Sequence, residues 1–167
     1  MTTHNQHTAA SSASLVAGID RRRLHLGNWA IQRKRIYLDL RFWIGIRDAI
    51  MGRVKDSGSR KSLVELYENL AEKVSNGSHV CPVSDIVFRE MMKQGNADTR
   101  IKSARIADKL SEGLCLIPHV DRSDIEIEHM ILAATNSGLP RIEQVVWTKP
   151  LYLMGQWQLG FESLPAE

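Results

Sequence analysis

Residues 36–44, which read IYLDLRFWI, decide the fold that we predict for this chain of 167 residues. The first four are typical of a short buried strand, and the apolar side chains at positions 42, 43, 46, 49 and 50 fit one face of a helix over residues 40–51. Asp39 therefore stands where a strand meets a helix. A carboxylate beside an apolar run needs solvent, a hydrogen bond or a cation.

The strand–helix alternation continues along the chain, with further strands predicted at residues 79–83, 114–118 and 144–148. Serines mark the predicted starts of three later helices: Ser62, Ser84 and Ser123 are expected to be N-caps. A further helix is predicted at residues 97–112, and the tail after residue 150 is left unassigned. This order indicates an α/β fold with a mainly parallel central sheet flanked by helices.

Composition and charge limit the classes of protein to which this chain can belong. Hydrophobic residues make up 43% and charged residues 25%, which is ordinary for a globular protein and excludes collagen or a fully disordered chain. We expect a disordered tail at residues 1–18, a basic connector at 19–35 and one domain at 36–167. No apolar run reaches the roughly 18–20 residues of a membrane span, and no signal peptide is visible. With Cys81 and Cys115 interpreted as free thiols, we expect a cytoplasmic protein.

Positive charge is concentrated near the N-terminus. Residues 1–60 hold 11 Lys or Arg against 4 Asp or Glu, whereas residues 61–167 hold 11 against 15. Such a basic third favours a polyanionic partner, although a solvated arm would have the same composition. The expected nucleic-acid-binding residues are Arg21, Arg22, Arg23, Arg33, Lys34, Arg35 and Arg41.

Acidic residues follow three successive predicted strands. Asp39 follows the first, Glu90 lies in the helix after the second, and Asp121 and Asp124 follow the third. Each has an ordinary structural explanation, as a helix cap, a solvent-facing helix residue or an acid in a first helical turn. Taken together, acids at the carboxyl ends of parallel strands could hold Mg²⁺ or Mn²⁺ for phosphodiester cleavage.

Two segments, residues 36–44 and residues 81–90, together resemble the PIN-like family of metal-dependent nucleases. The shared pattern is a strand ending in Asp39, followed by a second strand, Ser84 and Glu90. The resemblance implies a three-layer α/β sandwich in which Asp39 and Glu90 bind Mg²⁺ or Mn²⁺ and Ser84 supports them. Asp39 and Glu90 are also expected to be catalytic. The acids after the third predicted strand stand in for the late acids of the family, with Asp121 as a further metal ligand and Asp124 as a further catalytic residue.

The resemblance also implies a function and partners. Family members cut RNA, often as toxins of bacterial toxin–antitoxin pairs, so RNA is the expected substrate and an antitoxin or other protein the expected partner. A homodimer is a further candidate, and no membrane is expected.

This sequence departs from the family pattern at two places. Leu40-Arg41 follows Asp39 where a small polar pair is common, and His129 stands where one alignment requires a late acid. A second alignment puts the late acids beyond residue 167, so that residues 36–167 would be a PIN-like domain incomplete at its C-terminus. The alternative function is therefore a catalytically inactive PIN-like module that binds RNA or a protein.

Other enzyme classes fit the sequence less well. A haloacid-dehalogenase-type phosphatase uses Asp-x-Asp, but the triplet here is Asp39-Leu40-Arg41. A glycine-rich phosphate loop is also missing, which disfavours nucleotide-binding folds.

Overall fold

The computed structural model describes residues 21–133 and 140–153, which mix helices with short strands and are mostly helical. The helices are α1 (residues 21–31), α2 (Leu40–Ile50), α3 (Ser57–Ser75), α4 (Asp85–Met92), α5 (Ala97–Ser111), α6 (His119–Ala133), α7 (Ile142–Val145) and α8 (Pro150–Leu153). The strands are β1 (Lys34–Arg35), β2 (His79–Val80), β3 (Cys115–Leu116) and β4 (Trp147–Thr148). The expected tail at residues 1–18 lies outside the described residues.

The strands form two small sheets. β1 pairs in parallel with β2, with Lys34 opposite His79, whereas β3 pairs antiparallel with β4. A single parallel bridge between Val83 and Cys115 links the two sheets. The predicted mixture of helices and strands is confirmed, but the described residues do not form a mainly parallel central sheet.

Local signals located some helix starts correctly and missed others. Ser84 caps α4 as predicted, because its side chain accepts a hydrogen bond from the backbone N–H of Val87. The prediction for Ser62 was wrong: α3 starts at Ser57, capped by Asp56, whose carboxylate accepts a 2.7 Å bond from Ser59. Ser123 was also wrong, since α6 starts at His119 and the Ser123 hydroxyl donates to the His119 carbonyl instead.

The first strand lies slightly earlier than predicted. β1 is Lys34–Arg35, and only the backbone N–H of Ile36 continues the pairing, by a 2.9 Å bond to the Val80 carbonyl. Residues 36–39 then run to the start of α2 at Leu40. The predicted helix over residues 40–51 is confirmed.

Two hydrophobic clusters share the strand segments. The first cluster contains Leu38, Trp43 and Ile46 near the start of the chain and receives side chains from α2 to α5. The second cluster receives side chains from α1, α6 and α7. Neighbouring strand residues divide between them: Val80 belongs to the second cluster and Cys81 to the first. Because strand side chains alternate in direction, the two clusters lie on opposite faces of these strands.

Residues 21–31 of the basic connector form a packed helix. Ala30 is fully buried in the second cluster, and Trp29 packs against that cluster. The Asn28 side-chain oxygen accepts a 2.7 Å bond from the amide of Gln144. Gly27 lies so close to the Gln144 carbonyl that a Cβ at this position would overlap it. Helix α1 is therefore docked against the segment around α7.

Among the described residues, none of the helices combines the length and apolarity needed to cross a bilayer.

We expect Gly27→Ala to lower the free energy of unfolding by about 1–3 kcal/mol, the usual cost of overpacking. On a helix free in solvent, the same change would instead stabilise by about 0.5–1 kcal/mol. The sign of the change in urea unfolding therefore reports whether α1 is docked. Gly95→Ala is the matched control, because nothing lies within 4 Å of a Cβ there. An unfolding midpoint for Gly27→Ala equal to or above wild type contradicts the docking.

Candidate functional site

Asp39 presents its carboxylate to solvent at the end of the first strand segment. It occupies the N-cap position of α2, but its side chain makes no capping hydrogen bond. The side chain is 66% exposed, and the Arg41 guanidinium lies 3.9 Å away. An ion pair this exposed contributes less than about 1 kcal/mol. The carboxylate is thus accessible, with a cation beside it.

Ser84 lies close to the segment that carries Asp39. Its hydroxyl oxygen is 3.2 Å from the hydroxyl oxygen of Tyr37, while the same oxygen accepts the capping bond from Val87. The residues that follow β1 and β2 are therefore in contact, as expected for two parallel neighbours. This contact places the N-terminus of α4 beside Tyr37.

Glu90 is paired with a neighbour on its own helix. The Lys93 ammonium donates a 2.6 Å hydrogen bond to the Glu90 carboxylate, and the Glu90 side chain is 42% exposed. To bind a metal ion, the Glu90 carboxylate would have to release Lys93 and contact the metal ion instead. The described geometry is that of a solvent-facing helical ion pair.

Asp121 and Asp124 both lie on α6 but have different surroundings. The Asp121 carboxylate accepts a 2.9 Å bond from the Tyr152 hydroxyl, which ties α6 to α8. The pKa of Tyr152 is raised, first by burial and then by its hydrogen bond to Asp121. Asp124 is exposed to solvent.

The predicted metal-binding acids have different partners in the structure. Within residues 21–133 and 140–153, there is no group of three His, Cys, Asp or Glu side chains arranged to hold a metal ion. Glu90 is bonded to Lys93 and Asp121 to Tyr152. The Mg²⁺ or Mn²⁺ site therefore stays a prediction from the sequence.

Two of the predicted RNA-binding arginines have a structural role at the end of α1. Arg33 donates to the Trp29 carbonyl at 3.0 Å, and its guanidinium lies 3.9 Å from the Trp29 ring centroid. Arg35 donates to the Ala30 carbonyl at 3.1 Å. Cationic donors suit the last carbonyls of a helix, which have no partner within it.

The other predicted RNA-binding cations lie on α1, on β1 and in the first turn of α2. Lys34 is exposed on β1, and Arg41 is 78% exposed at the first turn of α2. Arg21 and Arg22 are exposed at the start of the described chain, while the Arg23 guanidinium lies 5.3 Å from the Tyr152 ring centroid. From residue 21 to residue 41 the chain carries seven Lys or Arg and one acid, Asp39.

Sequence reasoning missed the exposure of Tyr37. It was assigned to a buried strand, but the side chain is 57% exposed. Leu38 is buried, and the residues on both sides of it, Tyr37 and Asp39, are exposed. The two-residue alternation of an extended chain is the signal that could have found this.

Comparison of the chain with protein-family models, curated proteins and solved structures finds no match in any of the three. The PIN-like resemblance therefore stays a prediction from residues 36–44 and 81–90.

The two cysteines are buried free thiols and do not form a nucleophilic site. Burial raises the pKa of the Cys81 thiol to about 11 and that of the Cys115 thiol to about 12. Only the thiolate reacts readily, so both groups are inert near neutral pH.

We expect neither thiol to be alkylated by iodoacetamide in the native protein at pH 8, and both to react in guanidinium chloride. Folding raises both pKa values, so the protonated thiols contribute to the free energy of unfolding. This contribution is complete below about pH 9 and is lost as the pH rises towards 12. Mass spectrometry counts the modified thiols, and urea melts between pH 7 and 11 follow the stability. Rapid labelling of either cysteine at pH 8 contradicts this assignment.

Proposed function

We propose that this chain is a cytoplasmic RNA-binding module with a PIN-like α/β architecture. The observation that carries the proposal is the excess of cations in residues 21–41, which fold into α1, β1 and the first turn of α2. This span contains seven Lys or Arg residues and one acidic residue. A concentrated basic segment attracts a phosphate backbone, and it does so independently of sequence.

The location of Lys34 and Arg41 supports contact with phosphates. Both are exposed, and neither caps α1 as Arg33 and Arg35 do. Lysine on a strand edge also discourages edge-to-edge aggregation. That role does not explain Arg41, which lies outside the strand and is 78% exposed.

The architecture is proposed from the two hydrophobic clusters. Helices α2 to α5 border one cluster, and α1, α6 and α7 border the other. The strand residues divide between them, and this division supports a three-layer sandwich. The contact between Tyr37 and Ser84 further supports parallel neighbours whose carboxyl ends lie together.

We expect the double variant Lys34→Gln/Arg41→Gln to bind single-stranded RNA more weakly than wild type at low salt. Two lost phosphate contacts should reduce the slope of log K against log salt concentration by about 1.4, at about 0.7 per contact. Fluorescence anisotropy of a labelled oligonucleotide between 50 and 300 mM salt measures both quantities.

The matched control for this experiment is Arg60→Gln/Lys61→Gln, which removes one exposed Arg and one exposed Lys from α3. It should leave affinity and salt slope close to wild type. Equal losses in the control and the double variant contradict a localised binding surface, and no binding by wild type at 50 mM salt contradicts the function.

Metal-dependent RNA cleavage is the second candidate function, and one observation favours it. The carboxylate of Asp39 is 66% exposed on the segment that contacts Ser84 at the neighbouring strand end. This matches the position of the first acid in the PIN-like pattern.

If Asp39 supports cleavage, Asp39→Asn should reduce manganese-dependent cutting of a labelled RNA at least tenfold while leaving RNA affinity unchanged or higher. Gel analysis with Mn²⁺ or with EDTA measures cutting, and Asp124→Asn tests the exposed acid on α6 in the same assay. Equal cutting by wild type and Asp39→Asn, or cutting that persists in EDTA, contradicts the metal-dependent role of Asp39.

A further inference from the structure

Tyr37 is an aromatic ring displayed beside a basic strand. It lies two residues after β1, between partly buried Ile36 and buried Leu38, and is 57% exposed. An exposed tyrosine alone carries little meaning, because folded proteins expose many apolar atoms. Three further features indicate a functional role for the Tyr37 ring. They are its fixed hydroxyl, the charged residues next to it in the chain and its position after a strand end.

The Tyr37 hydroxyl contacts Ser84, whose own side chain is fixed by a helix-capping hydrogen bond. The Tyr37 oxygen lies 3.2 Å from the Ser84 oxygen, and Ser84 accepts the 3.3 Å capping bond from the Val87 N–H. Ser84 is thus fixed at the start of α4, and it fixes the far end of the tyrosine. A ring restrained in this way loses less side-chain entropy when a ligand stacks on it.

The chain on either side of Tyr37 carries mainly positive charge. Lys34 and Arg35 precede it on β1, and Arg41 follows it, 78% exposed. Lys34 is three residue steps from Tyr37, a distance of about 10 Å along an extended chain. Asp39 is the acid of this segment, and its carboxylate is 3.9 Å from the Arg41 guanidinium. Tyr37 is therefore exposed within a segment whose excess of cations suits a phosphate backbone.

We propose that Tyr37 is a base-stacking residue that selects unpaired RNA. The proposal rests on the RNA-binding function and specifies its substrate class. Proteins that bind single strands combine a positively charged track with aromatic rings on which bases stack. Bases inside an RNA duplex are already stacked and cannot be presented to the ring, so this contact discriminates against duplexes.

The test compares Tyr37→Leu, which keeps apolar bulk, with Tyr37→Phe, which keeps the ring and loses the bond to Ser84. Binding of a labelled 12-nucleotide adenine oligomer and of an RNA duplex is measured by anisotropy. Tyr37→Leu should weaken oligomer binding about 5- to 150-fold, the loss of one stacked base, with an unchanged salt slope. Tyr37→Phe should stay within about threefold of wild type, and duplex binding should be unaffected.

Ile86→Ala is the control, because it trims an apolar side chain that is 64% exposed two residues beyond Ser84. Wild-type affinity in this variant supports a specific role for the aromatic ring. An equal loss in Ile86→Ala, or an equal loss of duplex binding in Tyr37→Leu, overturns the stacking proposal. Tyr37→Leu with wild-type oligomer affinity also overturns it.

Photocrosslinking gives a second readout on the unaltered protein. A 5-iodouridine oligomer irradiated in complex with wild type should crosslink to the peptide containing Tyr37, as peptide mapping would show. Crosslinks confined to other peptides overturn the proposal. Failure of the wild-type protein to bind any RNA refutes the RNA-binding function itself, whereas binding that depends on Lys34 and Arg41 but not on Tyr37 refutes only the stacking role.

Discussion

The structure depends on burying its short strand segments on both faces at once. Val80 and Cys81 are each fully buried, yet they pack into different clusters, and Leu114 and Cys115 divide in the same way. Strands of two residues provide few ladder hydrogen bonds. Their stability must come from helices that cover both faces, because an uncovered face would expose these apolar side chains to water. The helices therefore hold the strands in place as much as the strands organise the helices.

This requirement explains why the basic segment is folded. One of the two clusters receives Ala30, Trp29 and Leu26 from α1, so the helix that carries the arginines also completes the hydrophobic core. Arg33 and Arg35 then donate to the carbonyls of Trp29 and Ala30 at the end of that helix. Part of the positive charge thus has a structural role, and the rest remains exposed on β1 and at the first turn of α2.

The acidic residues show the limit of reasoning from position along the chain. Sequence spacing correctly placed Asp39 at the junction with α2 and Ser84 at the start of α4. It could not foresee that Lys93 would bond to Glu90 or that Tyr152, 31 residues away from Asp121, would bond to it. Such partners depend on rotamers and on contacts between distant elements. An acid at a strand end is therefore a candidate ligand until its neighbours are known.

Local patterns along the chain were enough to predict the helices with strong periodicity, above all residues 40–50, together with the Ser84 cap and the basic character of residues 21–41. These features depend on local side-chain spacing and composition, which the chain carries without folding. Tertiary structure alone decided that α1 packs on the core, that Tyr37 is exposed against Ser84, and that the strands form one parallel and one antiparallel pair. Those outcomes require residues far apart in sequence to compete for the same buried surface, and no local pattern encodes the result of that competition.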